Sequence, residues 1–211
     1  METLAKLFGG EQKVKILRLF LFNPDEAFDN DLVKEKTRVS IATVRKLTKA
    51  FEKIGLLKKR KFRKKVKKSR GRGRKPEWKT EWVQGYVLDQ SFPYLSMLHK
   101  MLVNNSPFTS KEIIKKFNNA GKIQLILVSG VFIQEWDARL DLMMVGKNLK
   151  TNSIDKTISI MESEIGKELT YAVFEESEFA YRLNVYDKLI RDVLDYPHEI
   201  IVDKMNLAGR M

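Results

Sequence analysis

Apolar residues recur at helical spacing in three successive segments near the start of the chain. These segments predict three helices, over residues 12–22, 29–36 and 41–54. In the third helix the apolar positions, which we expect to be buried, are Val44, Leu47, Phe51 and Ile54. Ser40 is suited to cap the start of that helix, and Gly55 suits the left-handed position that ends a helix.

The pattern then changes to the period of two that is typical of strands. It predicts a pair of strands over residues 56–62 and 81–88, the second with Trp82, Gln84, Tyr86 and Leu88 on one face. Further along, we expect helices at 92–104, 110–118, 153–166 and 177–194, and strands at 123–128, 140–145, 169–174 and 199–202. The alternation of helices and strands predicts an α+β protein.

The predicted helix over residues 92–104 is apolar on two sides. Its apolar residues are Tyr94, Leu95, Met97, Leu98, Met101 and Leu102. A helix with so wide an apolar surface needs two packing partners, either two domains or a second subunit. We therefore expect residues 91–107 to form a linker and dimerisation helix in a homodimer.

Positive charge is concentrated in one stretch. Residues 58–79 contain 14 lysines and arginines and a single acid, Glu77, and so carry the whole net charge of +13. Such a charge predicts a polyanionic partner, either nucleic acid or an acidic membrane surface. A solvated tail or a localisation signal is the alternative, but the regular elements on both sides of the run favour a targeted contact with phosphates.

Composition excludes several other classes of site. The chain has no cysteine and two histidines, His99 and His198, so disulfides, thiolate metal sites and histidine-rich metal sites are not expected. We find no apolar run of about 18 residues and no signal peptide at the start of the sequence. The expected protein is cytoplasmic and has no membrane partner.

The segment VSIATVRKLTKAFEKIGLLKK, residues 39–59, resembles the recognition-helix region of winged helix-turn-helix regulators of the arsenic-repressor and multiple-antibiotic-repressor type. The resemblance implies a DNA-binding domain over residues 1–90, with residues 58–79 as a basic wing. On the recognition helix the residues expected to meet DNA are Ser40, Thr43, Arg45, Lys46 and Lys49.

The centre of the wing, Arg70-Gly71-Arg72-Gly73-Arg74-Lys75-Pro76, resembles peptides that lie in the minor groove of A·T-rich DNA. Arginine is attracted to the negative potential of a narrow groove, and glycine lets the backbone approach its floor. The wing residues expected to contact double-stranded DNA are Lys64, Lys65, Lys67, Lys68, Arg70, Arg72, Arg74 and Lys75. We expect the tip to be disordered without DNA, because it has almost nothing to bury.

The predicted order of helix, strand, loop, strand, helix and strand over about residues 108–205 resembles the minimal nucleotidyltransferase domain of the DNA-polymerase-β superfamily, which implies such a domain over residues 108–211. In that family a Gly-Ser pair holds the nucleotide phosphates, and three acids hold two metal ions. The matching positions here are Ser129-Gly130, Arg139-Leu140-Asp141, and Thr170 or Ala172. Only Asp141 retains an acid, and we expect the Arg139 guanidinium to pair with it in place of a metal ion. The prediction is an inactive site with no catalytic residue, no metal and no cofactor.

The basic run and the two resemblances together imply a DNA-binding transcriptional regulator whose C-terminal domain senses a ligand, dimerises or contacts an unidentified nucleotide or protein partner. Two alternatives remain open. One is an active nucleotidyltransferase, which would need at least two clustered acids. The other is an RNA-binding or antitoxin-like module, because attraction to phosphates carries no sequence information.

Overall fold

The computed structural model describes residues 2–68 and 77–207 and shows a mixed α+β chain with two sheets. The chain divides into two compact units, residues 2–99 and 100–211. The division falls inside the segment 91–107 that the sequence marks as a linker. The helix there, α5, is shorter than predicted and spans Leu95–Leu102.

The N-terminal unit begins with four helices and continues into a long β-hairpin. The sequence pattern did not predict the first helix. The helices are α1 (Glu2–Phe8), α2 (Glu11–Phe22), α3 (Asn30–Thr37) and α4 (Ile41–Lys53), and the hairpin strands are β1 (Leu57–Lys68) and β2 (Glu77–Leu88).

Local capping explains where α3 and α4 begin and end. Asp29 caps α3 by accepting a hydrogen bond from the backbone N–H of Leu32 at 2.8 Å. Arg38 then adopts a left-handed backbone, with φ of 57°, and turns the chain toward α4. The Ser40 hydroxyl accepts from the Thr43 backbone N–H, and Gly55 has a φ of 80°. The predicted cap and stop of the third helix are confirmed.

The core of this unit lies between α2, α3 and α4, where Phe20, Val33, Val44 and Phe51 are buried. The prediction that Ile54 is buried is wrong, because α4 ends at Lys53 and the Ile54 side chain is 60% exposed. Leu47 is only partly buried. Thr48 is buried instead, and its hydroxyl lies 3.0 Å from both Asn30 Oδ1 and the Val44 carbonyl.

The hairpin is longer than the predicted strands. Its two strands pair antiparallel from Leu57 with Leu88 to Lys68 with Glu77. Phe28 adds a short bridge to the free edge of β2, with backbone hydrogen bonds of 2.8 and 2.9 Å to Tyr86. Much of the basic run is therefore regular strand.

The C-terminal unit is built around a four-stranded sheet. The strands are β3 (Lys122–Val128), β4 (Leu142–Lys147), β5 (Tyr171–Glu175) and β6 (Glu199–Asp203); the helices after α5 are α6 (Ser110–Lys116), α7 (Thr151–Ile165), α8 (Glu176–Asn184) and α9 (Lys188–Asp195). The strand order is β5-β4-β3-β6. Strand β3 is antiparallel to both β4 and β6, whereas β5 is parallel to β4.

The single helix predicted over residues 177–194 is wrong, because the chain breaks into α8 and α9. Tyr186 has a left-handed φ of 53°, and the Asp187 carboxylate caps α9 by accepting from the backbone N–H groups of Leu189 and Ile190. One face of the sheet packs with both helices into a core that contains Leu125, Leu127, Met143, Val145, Phe174, Phe179, Ile190 and Val193. Within the described ranges, no helix is long and apolar enough to cross a membrane.

Candidate nucleic-acid interface and the Asp141 site

The exposed face of α4 carries a row of cations. Arg45, Lys46 and Lys49 are all exposed, and none of the three forms an ion pair with another described residue. At the start of the helix the Ser40 hydroxyl donates to Thr43 Oγ1 at 2.9 Å. Val44, Thr48 and Phe51 are buried on the opposite face of the helix, so the three cations face solvent.

The basic side chains of the hairpin divide between two faces, because successive residues of a strand point to opposite sides. The Phe62 face of β1 carries Lys58, Arg60, Phe62 and Lys64. Each of these three bases contacts an oxygen of the same unit. Lys58 Nζ lies 3.4 Å from Asp89 Oδ1, and Arg60 Nη1 donates to the Asp25 carbonyl at 3.0 Å.

Lys64 makes the closest of these contacts. Its ammonium lies 3.0 and 2.7 Å from the two carboxylate oxygens of Asp29, and both side chains are largely shielded from solvent. Asp29 is also the residue that caps α3. Lys64, a predicted DNA contact, therefore ties the hairpin to the start of α3.

The other side, the Trp82 face, carries Lys59, Lys61, Arg63 and Lys65 of β1 and Trp78, Thr80, Trp82 and Gln84 of β2. At its base Lys59 pairs with Glu52 of α4 at 2.8 Å, and this hydrogen bond raises the pKa of Lys59. Beyond Lys59 the face is exposed. Lys61 and Lys65 form no ion pair with any residue that the structure describes.

Two exposed indole rings stand among these cations. The side chains of Trp78 and Trp82 are 62% and 64% exposed. Arg63 lies directly opposite Trp82 in the register, with its guanidinium carbon 5.2 Å from the ring centroid. The sequence pattern places Trp82 on a strand, but neither tryptophan was predicted to belong to the interface. The signal that could have identified them is their spacing, because residues four apart on a strand lie on the same face.

The remaining predicted wing contacts are only partly described. Lys67 and Lys68 are the last residues of β1, opposite Trp78 and Glu77, but their side chains are not among those described. Arg70, Arg72, Arg74 and Lys75 lie outside the described residues, as does the tip that we expect to be disordered.

Asp141 lies just before β4 and is 4% exposed. Its Oδ1 accepts from the Val131 backbone N–H and its Oδ2 from the Thr170 backbone N–H, both at 2.9 Å. The ammonium of Lys167, which the sequence analysis did not single out, lies 3.8 Å from Oδ1. The carboxylate therefore joins the loop after β3 to the segment that leads into β5.

The predicted pair between Arg139 and Asp141 is wrong. Arg139 Nε lies 2.9 Å from Asp192 Oδ2 of α9 instead. The prediction assumed that both residues belong to one strand and share a face, but β4 begins at Leu142. Without strand alternation, the two side chains are not held on the same side.

Ser129 and Gly130 are buried and have structural contacts. The Ser129 hydroxyl donates to the Pro197 carbonyl at 2.8 Å. Gly130 has a φ of 55°, and a Cβ added there would overlap Asp141 Oδ1. A side chain at this position would thus displace the carboxylate from its hydrogen bond to Val131.

The third position of the nucleotidyltransferase pattern adjoins Asp141 through the backbone. The Thr170 carbonyl accepts from the Asp141 N–H at 2.7 Å, whereas Ala172 pairs with Met143 farther along the strand. Within residues 2–68 and 77–207, no three His, Cys, Asp or Glu side chains come together in a way that could hold a metal ion.

Comparison with known proteins gives no relative: no protein-family model, no curated protein and no solved structure matches this chain.

Proposed function

We propose that this protein is a DNA-binding transcriptional regulator whose N-terminal unit is a winged helix-turn-helix domain. The order of elements supports this proposal: α2, α3 and α4 are followed by the β1–β2 hairpin, and a single-residue bridge at Phe28 pairs with the free edge of β2. The tight turn through Arg38 joins α3 to α4, as a helix-turn-helix pair requires.

The observation that carries the proposal is the exposed cation row of α4. Arg45, Lys46 and Lys49 lie opposite the buried stripe and are free of carboxylate partners among the described residues. A helix of this size fits the major groove of B-form DNA, where arginine and lysine read guanine and contact phosphates. Lys65, on the hairpin of the same unit, adds a further exposed positive charge.

We propose that the C-terminal unit, whose element order resembles that of a nucleotidyltransferase domain, performs no transfer chemistry. Both oxygens of Asp141 already accept backbone hydrogen bonds, and Lys167 supplies the nearby positive charge. A two-metal site needs several carboxylates that can bridge the ions. The unit is therefore proposed to sense a ligand, dimerise or contact a partner.

We propose a homodimer that forms through α5. Two methionines within this helix, Met97 and Met101, are 62% and 39% exposed. Residues four apart share a helix face. A pair of subunits would present two α4 helices to half-sites about one DNA turn apart.

Selection of duplexes from a random pool by the full chain, followed by binding to the selected and a scrambled duplex, tests the proposal. Arg45→Ala should reduce the discrimination between them by about 1–3 kcal/mol if Arg45 reads a guanine. Lys111→Ala, which removes an exposed lysine of α6, is the matched control and should leave discrimination unchanged. Failure to enrich any duplex, with enrichment of RNA in a parallel selection, would contradict the proposal.

A further inference from the structure

We propose that the Trp82 face of the hairpin binds single-stranded nucleic acid, with unpaired bases stacked on Trp78 and Trp82 and phosphates held by Lys61, Arg63 and Lys65. The inference rests on the proposed function only in that both take nucleic acid as the ligand. The proposed surface is the Trp82 face of the hairpin rather than α4, and the proposed ligand is a single strand rather than a duplex.

Two large rings are exposed on one face of the hairpin. Trp78 and Trp82 leave more than half of their side-chain surface in water, although burial of an aromatic side chain is strongly favourable. Both belong to the same side of β2, since they are four residues apart and pair with Lys67 and Arg63 of β1. Most of the surface of each ring is therefore accessible to a ligand from the same side.

A cation accompanies one of the two rings. Arg63 lies over Trp82, with its guanidinium carbon 5.2 Å from the ring centroid. This contact fixes the orientation of the indole and holds a positive charge beside it. The planar guanidinium also suits a phosphate, which it can bind through two parallel hydrogen bonds.

The charges of the two hairpin faces are satisfied differently. On the Phe62 face Lys58 and Lys64 are paired with Asp89 and Asp29, and Arg60 donates to a backbone carbonyl. On the Trp82 face Lys61 and Lys65 have no carboxylate partner among the residues described. The described lysines that are free to bind a phosphate therefore lie on the face where the indole rings are exposed.

Exposed aromatic rings interleaved with cations fit unpaired bases better than a duplex. In a duplex the flat faces of the bases are covered by their neighbours, so only edges and phosphates are accessible. In a single strand each base has a free face for an aromatic ring, and cations follow the backbone. A purely phosphate-binding surface would need the lysines but would have no use for the two rings.

The spacing of the rings indicates how the strand lies. Four residues of a β-strand span about 13 Å. Two bases in direct stacking are separated by only about 3.4 Å. Trp78 and Trp82 would therefore engage non-adjacent bases of an extended strand.

Tryptophan fluorescence provides a direct test, because the chain has only three tryptophans. In a Trp136→Phe background, emission comes from Trp78 and Trp82 alone. We expect a 12-residue oligothymidylate to quench this emission. An abasic oligomer of the same length and charge should bind at least about fivefold more weakly and quench little, since each stacked base contributes about 5- to 150-fold in affinity.

Matched variants separate stacking from folding and from duplex binding. Trp82→Thr should weaken oligothymidylate binding at least about fivefold, whereas Trp82→Phe should retain most of it, because Phe keeps a flat ring. Both variants should unfold at the wild-type temperature within a few degrees, since Trp82 is mostly exposed. Arg45→Ala, which changes α4 and leaves the hairpin intact, should bind oligothymidylate as tightly as wild type.

Other results of these binding measurements would separate failure of the stacking inference from failure of the proposed function. Equal affinity for oligothymidylate and the abasic oligomer would overturn the stacking inference. Tighter binding of polyglutamate than of oligothymidylate would overturn it as well. If oligothymidylate fails to bind while the selected duplex binds, the inference fails and the proposed function stands. Binding to oligouridylate as well supports the same stacking chemistry and identifies RNA as a further source of unpaired bases.

Discussion

Lys64 and Asp29 form an ion pair in which the ammonium lies within 3.0 Å of both carboxylate oxygens. The next residue of β1, Lys65, points to the other face and is exposed. Adjacent lysines of one basic run thus have different roles. Lys64 holds the hairpin on α3, whereas Lys65 is available to an external phosphate.

Substitution of Lys65 should therefore affect DNA binding, whereas substitution of Lys64 should affect stability. Lys65→Ala should reduce the slope of log affinity against log salt for duplex DNA by about 0.9, the value for one lost phosphate contact. Lys64→Ala should leave that slope unchanged but lower the free energy of unfolding by about 1–2 kcal/mol, because Asp29 loses a partly buried partner. Anisotropy titrations at several salt concentrations and urea unfolding measure the two effects. Identical slopes for both variants would contradict the assignment.

Gly130 should be intolerant of a side chain. Gly130→Ala adds left-handed strain and forces Asp141 from its hydrogen bond to Val131. Gly55→Ala is the matched control, since Gly55 is also left-handed but has nothing within 4 Å of an added Cβ. We expect Gly55→Ala to cost about 1–2 kcal/mol in unfolding free energy and Gly130→Ala about 1–3 kcal/mol more. Equal losses in urea unfolding would show that the Asp141 contact contributes little.

Asp141 should stabilise the C-terminal unit and perform no chemistry. Asp141→Asn replaces one acceptor oxygen with an N–H donor that faces a backbone N–H, so the free energy of unfolding should fall by about 1–3 kcal/mol. Asp137→Asn, at an exposed position nearby, should have no measurable effect.

The wild-type protein should also transfer no nucleotide from any nucleoside triphosphate with Mg²⁺ or Mn²⁺. Incorporation of radiolabelled nucleotide into the protein or RNA is the measurement. Transfer by the wild type that is lost in a folded Asp141→Asn variant would reverse the assignment.

The proposed homodimer should depend on the exposed residues of α5. Met97→Glu places a charge on the apolar surface and should convert a dimer into a monomer at micromolar concentration. Ser96→Glu, at an exposed polar position one residue earlier, adds the same charge and should leave the dimer intact. Light scattering gives the mass of each variant. A monomeric wild type, with and without DNA, would contradict the dimer.

Most elements of the fold could be predicted from the sequence because their signals are local. The Ser40 cap and the Gly55 stop each depend on a few neighbouring residues, and both are confirmed. The break between α8 and α9 was missed because the apolar pattern continues across it. Asp187, a residue suited to an N-cap, was the one local sign of the break.

The candidate site was harder to predict because its contacts are distant in sequence. Arg139 pairs with Asp192, 53 positions later, and Lys64 pairs with Asp29, 35 positions earlier. Neither spacing nor composition contains this information. The length of the hairpin could not be predicted either, because the lysine-rich end of β1 forms a strand only through its pairing with β2.

The central claim, that the exposed row of α4 binds duplex DNA, is tested most directly by removing the row. Arg45, Lys46 and Lys49 are replaced together by alanine, and the control replaces Lys111, Lys115 and Lys122, three exposed lysines of the C-terminal unit. Both variants lose three positive charges. We expect the α4 variant to bind the selected duplex at least about tenfold more weakly than wild type at 150 mM salt, and the control to bind within about twofold. Equal affinities of the two variants for that duplex would contradict the claim.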